Sequence, residues 1–135
     1  MIAVMCIDDN NGILFNRRRL SQDKLLRRHM LQMIGESHLW MNSYSKKQFT
    51  GSDLSQIITD DNFLENAGNS DYCFIEDTDI TPYADKINKI ILFRWNRIYP
   101  ADTYFPLDLG GWLLAETIDF EGYSHDKITK VTYTK

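Results

Sequence analysis

The chain has 135 residues, with 43% hydrophobic, 13% aromatic and 25% charged side chains, a size and composition that fit one globular domain over residues 1–135 and exclude disordered, collagen-like and low-complexity chains. The longest uncharged apolar run covers residues 1–7 and has no basic flank, so neither a transmembrane helix nor a signal peptide is expected. The formal net charge of −4 hides a polarity: residues 16–47 carry eight Lys/Arg against Asp23 and Glu36, and the remainder is strongly acidic. Such a map steers an anionic ligand or orients a contact between two copies of the chain, so a homodimer is compatible with it.

Residues 1–7 are apolar throughout, as in a strand covered on both faces. Asp8-Asp9-Asn10-Asn11-Gly12 ends that strand with turn chemistry. Residues 13–19, including Arg17, Arg18 and Arg19, read as a loop. Ser21 is placed to cap a helix with Asp23 in its first turn, Leu26, Met30, Met33 and Ile34 on its apolar face, and Gly35 as its stop. Short strands are expected at 38–41, 56–59, 72–75 and 89–95. Helical turns are expected at 43–49, 62–67 and 79–86, the last with Pro82 in its first turn. Beyond Pro106, residues 112–120 and 127–133 alternate and are rich in Thr, Tyr, Ile and Val, the pattern of an antiparallel pair.

Chemistry-bearing residues are sparse. Cys6 and Cys73 lie in apolar runs without metal spacing, the pattern of buried free thiols in a reducing cytoplasm. His29, His38 and His125 are scattered, and no metal ligand set is visible. Asp8 and Asp9 read as solvated acids at a strand end. Trp40, Trp95 and Trp112 sit in apolar strands and read as core rather than base-stacking residues. Arg17–Arg19, Lys46 and Lys47 are candidates for binding an anion, such as a phosphate-bearing small molecule at a cleft mouth.

The order of these elements, with local wording, resembles the dihydrofolate reductase family. The opening strand with Asp8-Asp9-Asn10-Asn11-Gly12-Ile13 looks like that family's first strand and lid loop. Leu20-Ser21-Gln22-Asp23 looks like its Leu-Pro-x-Asp/Glu helix start, and Leu39-Trp40-Met41-Asn42 like its Val-Ile-Met-Gly strand end. Pro82-Tyr83-Ala84-Asp85-Lys86 with Ile90-Ile91-Leu92 looks like the approach to its sixth strand, and Asp102-Thr103-Tyr104-Phe105-Pro106 matches its Asp-Thr-Tyr/His-Phe-Pro loop. The resemblance implies an α/β fold: a mixed, mostly parallel central sheet flanked by helices, with a C-terminal antiparallel β-hairpin. It also implies hydride transfer from NADPH to a pterin.

The departures fall on that chemistry. The resemblance places Glu76 and Asp77 at the family's Gly-Gly pair, where bare backbone approaches the cofactor's diphosphate. Its Gly-Arg-x-Thr cofactor grip reads Asn42-Ser43-Tyr44-Ser45. Its pterin-binding carboxylate falls on Asp23 when counted from the helix start and on Leu26 when counted back from Asn42, and both registers stay open. Its strand threonine becomes Phe93, and its lid Leu-Pro-Trp becomes Arg17-Arg18-Arg19. By the same analogy Val4, Asn11, Leu26 and Phe93 line a residual cleft.

The favoured expectation is therefore a degenerate fold member without reductase activity and without a cofactor, binding an unknown anionic or nucleotide-like small molecule or a protein partner. The alternative is an NADPH-dependent reductase of dihydrofolate or a related pterin, with NADP(H) bound and Asp23 as its catalytic acid. A third reading, a nucleic-acid or polyanion binder through residues 16–47, is disfavoured by the acidic chain and the lack of a nucleic-acid motif. No membrane partner is expected.

Overall fold

The computed structural model describes residues 1–51 and 54–135. In chain order its elements are β1 (Ile2–Ile7), β2 (Gly12–Phe15), β3 (Arg18–Arg19), α1 (Lys24–Met33), β4 (Leu39–Met41), α2 (Ser43–Lys46), β5 (Ile57–Thr59) and α3 (Phe63–Asn66). There follow β6 (Tyr72–Phe74), a 3-10 helix (Thr81–Lys86), β7 (Lys89–Arg94), β8 (Thr103–Tyr104), β9 (Leu113–Phe120) and β10 (Ile128–Thr134). The main sheet has the order β5-β4-β6-β1-β7-β10-β9. Its first five strands are parallel, and β10 runs antiparallel to both β7 and β9. A second sheet, β3-β2-β8, is antiparallel.

The uniform apolarity of β1 has a direct cause. Successive side chains of a strand point to opposite faces, and both faces here are covered. Ile2 and Val4 pack with Leu26, Met30 and Ile34 of the α1 region, joined by Leu39, Ile91 and Phe93. Ala3, Met5 and Ile7 pack on the other side with Phe63, Leu64, Ile80 and Ile87 from α3 and the ends of the 3-10 helix. Burial on both faces is what a parallel sheet requires.

The expected elements are found, with four corrections. Residues 13–19 form a hairpin, because Asn16 and Arg17 both take positive φ (51° and 62°) and close a two-residue turn between β2 and β3. The cap of α1 is Asp23 rather than Ser21: the Asp23 carboxylate accepts the Leu25 and Leu26 N–H groups, and Asp23 lies outside the helix. α2 stops at Lys46, short of residue 49. The Asp102–Pro106 stretch contains the short strand β8, which pairs with β2. Gly35 (φ 58°) follows the Ile34 C-cap of α1 as expected. Cys73 is buried and Cys6 half-buried; both are free thiols. Burial pushes the Cys73 thiol up to about 12 and raises that of Cys6 as well, so neither is a ready nucleophile. No helix among the described residues is long and apolar enough to cross a membrane.

Candidate functional site

In an open sheet with parallel strands, ligands enter beyond the carboxyl ends of the strands, where neighbouring connections diverge. That crevice lies here beyond β4, β6 and β1. Glu76, two residues past β6, is 8% exposed and points into it. Arg19, carried in by β3, grips both carboxylate oxygens: Nε donates to Oε2 at 2.9 Å and Nη2 to Oε1 at 3.1 Å. The Ser45 hydroxyl (2.8 Å) and the Gln48 amide (3.0 Å) also donate to Oε1. Arg19 is itself seated over the Tyr44 ring, 4.4 Å from its centroid, and its backbone N–H donates to the Tyr44 hydroxyl. What remains among Cys6, Ile13, Arg19, Ser21, Glu76 and Trp95 is a hole of about 10 Å³, room for no more than one water.

Asp77 is exposed and accepts from Asn42 Nδ2 at 2.8 Å, while Asn42 Oδ1 caps α2 through the Ser45 N–H. Ser43 donates its N–H to Asp61. Asp8 is not a free acid: its carboxylate accepts the N–H groups of Asn10, Gly12 and Tyr99, tying the β1–β2 turn to the segment after β7. Asn11 is exposed at that turn, with φ 63°.

Val4, Leu26 and Phe93 are brought together, in a single buried apolar cluster. Leu26, and not Asp23, therefore faces Val4 and Phe93. Asp23 turns the other way, toward the connection between β9 and β10. Its Oδ1 accepts the N–H groups of Leu25, Leu26 and Tyr123, and its Oδ2 accepts the Ser124 N–H (2.9 Å) and His125 Nδ1 (2.8 Å). Burial alone would raise this carboxyl's pKa. The donors from Tyr123, His125, Ser124 and Leu26 overrule it and hold the group well below the usual carboxylate range. His125 is buried, stacks on Trp95 at 4.5 Å, and presents Nε2 to the hydroxyls of Ser21 (2.9 Å) and Tyr99 (3.1 Å). Sequence reasoning missed this cluster, since a hundred residues separate its halves. The Gly122 before a polar turn was its one local sign.

Gly122 also yields a measurable consequence. A β-carbon there would lie 2.8 Å from Asp23 Oδ2, 2.8 Å from the His125 carbonyl oxygen and 3.0 Å from Ile128 Cδ1. The first two neighbours are fixed by hydrogen bonds. Gly122→Ala is expected to destabilise the fold by about 1–3 kcal/mol, read as an earlier urea midpoint at unchanged slope.

Of the remaining basic residues, Arg17, Arg18 and Lys47 are exposed and Lys46 is half-buried; none reaches the crevice as Arg19 does. A separate groove of about 720 Å³ runs along α1. Lys24, Arg27, Arg28 and Gln32 form its polar wall, and Leu31, Phe49 and Leu54 supply apolar surface.

No protein family and no curated protein sequence matches the chain. A solved structure does: dihydrofolate reductase from Enterococcus faecalis, complexed with NADP(H) and RAB-propyl, superposes with a TM-score of 0.67 over 98% of this chain and 94% of that one, at 11% identity. The chain has a dihydrofolate reductase-like fold. The central, mostly parallel sheet and the C-terminal antiparallel pair are those the resemblance implied. The likeness spans nearly the whole of both chains. Within this dihydrofolate reductase-like frame, the carboxyl-edge crevice is filled by the Arg19–Glu76 pair.

Proposed function

We propose that this chain is a small-molecule-binding protein on a dihydrofolate reductase-like fold, without reductase activity, and that its ligand is an amphipathic anion held along α1. The observation that carries the reading is the Glu76 carboxylate, buried at the end of β6 and neutralised by Arg19. The residues there do not suit a dinucleotide. A diphosphate approaching the β6 end meets Glu76 and Asp77, and Arg19 is already engaged by Glu76. The paired Arg19 and Glu76 side chains fill the crevice, and the exposed Asp77 carboxylate beside them presents an uncompensated negative charge to a diphosphate. Among the described residues, the positions that would serve a heterocycle carry no available proton donor: Leu26 and Phe93 are sealed in apolar packing, and Asp23 is spent on the β9–β10 connection.

The α1 groove offers the opposite chemistry. Its cations border apolar surface from Leu31, Phe49 and Leu54, which matches a flat apolar body with a carboxylate or phosphate end. Binding to the folded state raises stability by mass action, about 2.7 kcal/mol at a hundredfold excess over Kd. The test is thermal unfolding with folic acid, ATP and NADPH at millimolar concentration, together with a dihydrofolate-dependent NADPH oxidation assay. Folic acid or ATP is expected to raise the midpoint, and the charge reversals Arg27→Glu and Arg28→Glu to remove the shift. Oxidation of NADPH, or no shift with either anion, would defeat the proposal.

A further inference from the structure

We propose that the sheet face beyond the end of α1 holds a second ligand site, which takes the phosphate monoester of a small polyol between Lys89 and Lys130. The site shares no lining residue with the α1 groove, so it stands or falls apart from the ligand proposed there.

The strand registers build the site. Ile91 and Phe93 of β7 lie on the face that α1 covers, and Lys89, two residues before Ile91, lies on the same face. Across the ladder, Thr134, Thr132 and Lys130 of β10 stand opposite Lys89, Ile91 and Phe93. Glu116 of β9 stands opposite Thr132. Residues paired in this way share a face. α1 ends at Met33, and beside that end the face forms a hollow of about 300 Å³. Ile91 and Thr132 make its middle row, with Lys89 and Thr134 on one side and Lys130 on the other. The β9 register shifts beside Thr132, so Ala115 has no partner across the ladder and lines the hollow instead.

A sheet face left bare by its helix ordinarily holds solvated polar groups. Here two of them are withdrawn from water: Lys130 and Thr132 are each 9% exposed, a burial that lysine rarely shows. Lys130 Nζ lies 3.2 Å from Glu116 Oε1, one partner for a group with three donors. Lys89 has no ion pair among the described residues. Nor do its Nζ or the hydroxyls of Tyr72, Thr132 and Thr134 have a hydrogen-bond partner there, although all four side chains line the hollow. Two ammonium groups against one carboxylate leave the hollow cationic.

This donor set selects its ligand. The rows of Lys89 and Lys130 are four residues apart, about 13 Å along the strands, a span that two lysine side chains close from opposite ends over Thr132. A phosphate monoester at neutral pH carries nearly two negative charges and three acceptor oxygens, enough for both ammonium groups and the Thr132 hydroxyl. A carboxylate brings one charge and two oxygens and leaves a donor idle. The Tyr72 and Thr134 hydroxyls are then free to meet hydroxyls of the organic part, and Ile91 and Ala115 its carbons. A volume of about 300 Å³ admits a compact sugar phosphate.

The experiment is isothermal titration calorimetry of the full chain at low ionic strength, with ribose 5-phosphate as the probe and ribose as its neutral control. Ribose 5-phosphate is expected to bind at millimolar concentration and ribose not to bind. Lys89→Gln should weaken binding about tenfold or more, and Thr132→Val, which keeps the β-branched shape, about fivefold or more. Both variants should keep the wild-type melting temperature within a few degrees, since neither side chain has a protein partner to lose. Binding should also survive Arg27→Glu with Arg28→Glu, which reverses the charge of the α1 groove. No binding of ribose 5-phosphate, equal binding of ribose, or an affinity left unchanged by either substitution would overturn the site. Binding that vanishes only with the Arg27 and Arg28 reversals would place the phosphate in the α1 groove and overturn it as well.

Discussion

Replacing Asp23 by Ala is expected to lower the unfolding free energy by about 3–5 kcal/mol, the loss seen when one partner of a buried, hydrogen-bonded charge is removed. The carboxylate is 2% exposed and satisfies donors from two directions. On one side are the first free N–H groups of α1, at Leu25 and Leu26; on the other are Tyr123, Ser124 and His125. Truncation strands all of them at once and separates the β9–β10 connection from the helix. Asn is a poor substitute, because its amide nitrogen would face donors where Oδ2 now accepts. The pH dependence has a definite sign. The folded-state pKa of Asp23 lies below its ordinary 3.8, so its contribution is complete above about pH 4 and is lost as the pH falls below that value toward the folded-state one. Urea titrations at pH 7 and pH 3 should show wild type and Asp23→Ala converging on the acid side. Curves that stay a constant distance apart would contradict this account.

The frame of the molecule was readable because it rests on local signals. The apolar stretch of β1, the Leu26–Met30–Ile34 spacing of α1 and the alternating C-terminal pair each determine an element without knowledge of its neighbours. The order of those elements was enough to expect the sheet. The site was legible only as a set of departures. That Glu76 and Asp77 stand at the end of β6 is visible in the sequence; that Glu76 is buried and paired is not, because its partner arrives from a hairpin nearly sixty residues earlier. The hairpin was hidden by its turn: Asn16-Arg17 lacks glycine, and the run of arginines looks like a solvated loop. Asp23 posed the same difficulty in reverse. A first-turn acid suggests dipole compensation, and only the fold brings the His125 turn to it. Long-range polar pairs carry no periodicity, so the chemistry of this edge could not be read from spacing.

The Arg19–Glu76 pair should separate breaking a buried ion pair from replacing it. Arg19→Ala leaves the Glu76 carboxylate, 8% exposed, with only the Ser45 and Gln48 donors, and is expected to cost about 3 kcal/mol. The double variant Arg19→Met with Glu76→Leu removes both charges and fills the crevice with apolar atoms. It is expected to lie within about 1 kcal/mol of wild type, because neither desolvation nor unpaired charge is left to offset. Gln48, half-buried, can turn its amide to solvent, and Ser45 sits in α2 where its hydroxyl can bond back to the preceding turn. The comparison is made by urea unfolding, with the double variant recovering most of the single variant's loss. A double variant as unstable as Arg19→Ala would mean that the guanidinium acts through its contact with Tyr44 rather than through Glu76. The same series bears on function. Arg19→Ala with Glu76→Gly vacates the crevice, yet Leu26 and Phe93 still close its apolar side, so NADPH oxidation with dihydrofolate is expected to remain absent. If it appeared, the ion pair would be the sole barrier to reductase chemistry on this fold, and the chain would be a plugged reductase rather than a binding protein.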